Sequence, residues 1–149
     1  MGKTRNSNNL SEKNLIRLYE YLKQFEREIK QFEGKLNFNA PCVAAFQTSN
    51  DVELKACFKS KQIIAFQTSK KYYIIFQVTK FKEGKIDDYA FRLLKHLRNS
   101  FAHASIKKQK GNFIFTDKNR NNISCRGKIR TDLFFSLIEI LLQTKISQS

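Results

Sequence analysis

Apolar residues return every three or four positions through Leu15, Leu18, Tyr19, Leu22, Phe25, Ile29 and Phe32, and the pattern stops at Gly34. That spacing predicts an amphipathic helix. Ser11 is its expected N-cap, with Glu12 in the first turn, where negative charge is favoured. The opposite face, Lys23, Glu26, Arg27, Glu28 and Lys30, reads as solvated. A second stripe, Ile86, Tyr89, Ala90, Leu93, Leu94, Leu97 and Phe101, follows Gly84 and has Asp87 and Asp88 in its first turn. A third, Leu133, Phe134, Leu137, Ile138, Leu141 and Leu142, follows Thr131 or Asp132 as cap. Before it, residues 112–116 alternate with Phe113 and Phe115 on one side, 117–122 are turn-like, and 123–129 resume an extended pattern. This predicts a β-hairpin over about 112–129.

Residues 35–83 are ambiguous. A helix over 51–61 is expected, capped by Asn50 or Asp51. The β-branched and aromatic runs 62–66 and 72–81 suit strands. The pentapeptide at 45–49 returns at 65–69 without matching flanks, which reads as coincidence rather than a repeat. Residues 1–9 are polar and read as a frayed tail.

Composition supports a mainly α protein. Only 5 Gly and 1 Pro interrupt 149 residues, which argues against a turn-rich sandwich or barrel. The length suits one domain, 1–149. The net charge of +15 favours polyanionic partners, although a basic soluble protein from an AT-rich genome accounts for the same excess. Residues 107–130 concentrate that charge. Lys107, Lys108, Lys110, Lys118, Arg120, Arg126, Lys128 and Arg130 face one acid, Asp117. Cys42, Cys57 and Cys125 lie far apart and odd in number, which points to buried thiols in a reducing, cytoplasmic setting. No metal-ligand spacing, cofactor motif or membrane span is expected.

The candidate chemistry is Arg98-Asn99-Ser100-Phe101-Ala102-His103, which holds one of the two histidines. Histidine moves protons near neutral pH, and arginine is a permanent cation with a planar fork of donors. On one straight helix Arg98 and His103 stand about 140° apart. They meet only where the helix breaks, near Asn99 and Ser100, or across two chains. His96 reads as a solvent-edge residue, and Phe113 and Phe115 as core rather than stacking rings.

Leu97 through His103 resembles the signature of the HEPN superfamily of small ribonuclease domains: an arginine, a polar follower, and a histidine after four intervening residues. Ala104 stands where many members have glycine. The resemblance implies a HEPN-like helical bundle with the hairpin before its last helix. It also implies a metal-independent endoribonuclease acting as a homodimer, of the kind found as toxins or phage-defence effectors with an antitoxin partner. His103 would act as base or acid, Arg98 would hold the scissile phosphate, and Asn99 would orient the pair. RNA would lie on Lys107, Lys108, Lys110, Arg120, Arg126, Lys128 and Arg130. The alternatives are a non-catalytic nucleic-acid-binding module or a protein-interaction subunit.

Overall fold

The structure is a computed structural model that describes residues 10–79 and 88–146. The predicted frayed tail, and Gly84, Ile86 and Asp87 at the predicted start of the second helix, lie outside the described residues.

Ser11 caps α1 (Glu12–Arg27), its side chain accepting from the Asn14 N–H at 3.1 Å. A 3-10 turn, Ile29–Phe32, carries the same stripe onward. The buried face is rotated from the expected one: Leu18, Tyr21 and Phe25 are buried, whereas Tyr19 is exposed and meets Phe101 edge-on. Pro41 then opens α2 (Pro41–Asn50) at a position where its missing N–H costs nothing. Asp51, left-handed at φ 55°, turns the chain into β1 (Val52–Cys57). After α3 (Ser60–Ala65) comes β2 (Tyr72–Gln77), parallel to β1. Parallel strands require a crossover, and α3 supplies it. Beyond α4 (Tyr89–Ala102) lie β3 (Ile106–Gln109), β4 (Asn112–Asn119), β5 (Asn122–Arg130) and α5 (Thr131–Leu142).

The mainly α bundle expected from the sequence is therefore corrected. The described residues form a mixed α/β fold, 48% helix and 26% strand. Their five-stranded sheet has the order β1-β2-β5-β4-β3, with only the β1–β2 pair parallel. The predicted hairpin is present as β4–β5, but it sits inside a sheet rather than decorating a bundle. Within 35–83, the helix expected over 51–61 is β1 followed by the start of α3, and the strand expected over 62–66 is the rest of α3. The strand expected over 72–81 is β2, which ends at Gln77; residues 80–81 lie outside the described residues.

One continuous core fills the space between a sheet face and α1, α2, α4 and α5. Phe76, Phe113, Phe115 and Phe134 are its largest fully buried side chains. A smaller cluster, Cys57, Ile63 and Ile75, seats α3 on the other face. Among the described residues, most of that outer face is left open. Tyr21 ties α1 to α4 by donating its hydroxyl to the Leu94 carbonyl at 2.5 Å.

Candidate active site between α4 and the sheet

α4 does not break at Asn99 or Ser100. It runs to Ala102, and His103 is its C-cap. Ala104 follows with φ 55°, its N–H bonded to the Phe101 carbonyl and that of Ser105 to the Ser100 carbonyl. That pair of bonds is a Schellman closure, which swings the chain into β3 and leaves His103 exposed.

Because the helix is unbroken, Arg98 and His103 face different ways. Arg98 turns to α1, where it donates to Glu26 at 3.0 Å and lies over the Phe25 ring. Its other contact is a 2.9 Å bond to the Asn99 side-chain oxygen. Arg92, Lys95, His96, Asn99 and His103 share the next face of α4, at the helical spacings that bring side chains together. They line a cleft of about 670 Å³ with Phe58, Gln77, Val78, Asp117, Lys118 and Ser124. The cleft opens at the carboxyl ends of β1 and β2, where the sheet's parallel pair leaves room for a ligand.

Asp117 is the hub. Its side chain is 6% exposed, and Oδ2 lies 2.8 Å from His96 Nδ1 and 3.3 Å from the Asn99 amide nitrogen. Oδ1 lies 4.0 Å from His103 Nδ1. A β-bulge between Asp117 and Lys118 helps to aim these groups, since the register steps from Cys125 to Ile123 and leaves Ser124 over. The Ser124 hydroxyl donates to the Asp117 carbonyl at 2.9 Å. Burial first, then the charge of Asp117, pushes the neighbouring Cys125 thiol well above its ordinary range.

The two histidines are held differently. His96 Nε2 meets the Gln77 carbonyl at 2.8 Å. A carbonyl only accepts, so that nitrogen donates, and Nδ1 is occupied by Asp117. His96 thus has no free nitrogen to offer. His103 is 57% exposed at its side chain. Its Nδ1 lies over Asp117 Oδ1 at 4.0 Å, beyond direct hydrogen-bond reach.

Asn99 and His103 therefore stand in the cleft, and Arg98 reaches it only through Asn99. None of the seven predicted RNA-binding residues lines it. Lys107 and Lys128 flank Ile114 on the open sheet face, with Tyr73 next in the row. Lys108 alternates to the opposite side, and Lys110 and Arg120 occupy left-handed turn positions. Arg126 clamps α3 to the sheet through the Ile63 and Phe66 carbonyls and the Tyr73 hydroxyl. Arg130 holds Asp132 at 2.6 Å.

Sequence reasoning missed Asp117, read as a turn residue, and His96, read as a solvent-edge residue. The signal was present as a polar stripe, Arg92, His96, Asn99 and His103, opposite the apolar stripe of the same helix. Neither a family model nor any curated protein or solved structure gives a significant match to the chain.

Proposed function

We propose that the chain is a metal-independent endoribonuclease with the α4 cleft as its active site. The observation that supports this most is one buried carboxylate engaging Asn99 and His96 while a largely exposed His103 sits over its other oxygen. Lys59, Arg92, Lys95 and Lys118 line the same cleft, against Asp117 as the one acid among its described residues.

In this reading His103 Nε2 takes the proton of a ribose 2′-OH. The 2′-oxygen bonds to the adjacent phosphorus, the bond to the 5′-oxygen breaks, and that oxygen takes a proton from water at the open mouth. The products are a 2′,3′-cyclic phosphate and a 5′-hydroxyl. Asp117 orients His103 and stabilises its protonated form, as a carboxylate does behind a catalytic imidazole. Lys118, next to Asp117, offsets the charge that grows on the phosphate. The likeness of Arg98–His103 to the HEPN signature supports the same chemistry, with Arg98 acting by fixing the Asn99 amide. One chain supplies this whole set.

The test is RNA incubated with the protein in EDTA. Cleavage is expected to persist without divalent ions, to leave cyclic phosphate ends, and to fall on the order of 10²–10⁴-fold in His103→Ala. Cleavage unchanged in that variant defeats the reading. RNA binding without cutting by the wild type favours the alternative, a binding module using the open sheet face around Tyr73, Lys107 and Lys128.

A further inference from the structure

Among the described residues, Arg92 is the one arginine of the four cations that line the cleft, with Lys59, Lys95 and Lys118. The terminal nitrogens of Arg98, Arg126 and Arg130 are each engaged within the fold, although Arg98 Nε is buried without a partner. Arg92 lines the cleft, yet its buried Nε has no hydrogen-bond partner and its guanidinium makes no ion pair among the described residues. A buried donor left unmade is costly, and a planar cationic fork at a cavity wall matches a phosphate. Lys95 lies one turn on, in the same lining.

Position decides which phosphate. Eleven residues of helix separate Arg92 from His103, about 16 Å along the axis. Both side chains lean toward the helix N-terminus, so the offset is kept. That span equals roughly four or five stacked nucleotides at ~3.4 Å each, and fewer in an extended strand. Arg92 is too far to hold the phosphate that is cleaved beside His103. Phe58, 46% exposed, offers a ring in the same cleft, which suits an unpaired base.

We infer that Arg92, with Lys95, forms a subsite for a backbone phosphate two or more nucleotides from the cleaved bond, and that the substrate is a single strand lying along α4. The identity of the ligand rests on the ribonuclease reading; the anion site itself rests on the geometry of Arg92.

Two measurements separate the claims. Inorganic phosphate is titrated into the intact protein while arginine Nε–H signals are followed by NMR. The Arg92 signal is expected to shift saturably, and Arg92→Gln to weaken phosphate binding at least tenfold, with Arg27→Gln, on the solvated face of α1, as control. An unmoved Arg92 signal, or Arg92→Gln binding as tightly as wild type, overturns the site. Cleavage of an octaribonucleotide is then compared with that of a dinucleoside monophosphate, which has no remote phosphate. Arg92→Gln is expected to lower kcat/KM for the octamer about tenfold further than for the dimer, and Arg92→Lys to recover part of the loss. Equal losses on both substrates overturn the remote placement. Phosphate binding at Arg92 in a protein that cuts no RNA keeps the anion site and removes the ribonuclease reading.

Discussion

Ala104 occupies a position made for glycine. Its φ of 55° lies in the left-handed region, where a Cβ crowds the following carbonyl and costs roughly 1–2 kcal/mol. Ala104→Gly relieves that strain at some cost in unfolded-chain entropy. The expected net gain is about 0.5–1 kcal/mol, read as a Tm rise of roughly 1–4 °C. A fall in Tm would show that the turn after His103 is not closed in this way. Such local chemistry was legible at Ser11, whose cap is where the sequence placed it. Side-chain partners were not. Asp117 looks like any turn residue until the register of β4 and β5 sets it beneath α4. The identical pentapeptides make the same point: one lies within α2, and the other runs from the end of α3 into the loop after it.

At the scale of elements, Gly127 marks a tight joint in the sheet. A Cβ built there lies 2.5 Å from the Phe115 ring and 3.0 Å from Ile74. Phe115 is 1% exposed and packs edge-on to Phe134, so the ring has little room to retreat. Gly127→Ala is expected to destabilise by about 1–3 kcal/mol through overpacking, measured by urea denaturation; an unchanged midpoint would contradict that packing. The long amphipathic helices were legible because each buries one stripe, α4 and α5 against the sheet and α1 against α4. The segment 41–65 was not. Its α2 shows no strong stripe, and its one clear signal was Pro41 at the first helical position. Ile63 and Ile64 suit strands by propensity, but the parallel pairing of β1 with β2 demands a crossover there, and tertiary geometry overrides propensity. β1 does alternate, with Val52 and Leu54 buried and Lys55 exposed, yet the caps at Asn50 and Asp51 argued for a helix start when they are in fact a helix end.

Across the whole molecule, stability is tied to acids kept neutral by burial, of which Tyr21 and Cys125 are the most shifted and Cys57 a lesser third. Burial raises Tyr21 and Cys125 well above their ordinary values of 10.0 and 9.0, with Arg98 partly opposing the shift at Tyr21. Below pH 9 both are protonated in the folded and the unfolded chain, and their contribution is complete. Above it the unfolded chain releases protons that the folded chain retains, so stability falls as pH rises. The expected slope is up to about 1.4 kcal/mol per pH unit for each proton released. Urea midpoints from pH 7 to 10.5 test this, and Cys125→Ala should flatten the decline that starts at the thiol. A decline equally steep in that variant would assign it to other groups.

The pairing of β2 with β5 has a consequence for synthesis. It stitches a strand ending at Gln77 to one beginning at Asn122, and the cleft draws on both sides of that seam, from Phe58 to Ser124. At roughly 5–20 residues per second on a ribosome, about 3–13 s pass between the making of Phe58 and of Ser124. Through that interval β2 has a free edge, His96 lacks Asp117, and no cleft exists. The cleft is therefore assembled only after β5 has been made, whatever chemistry it carries out.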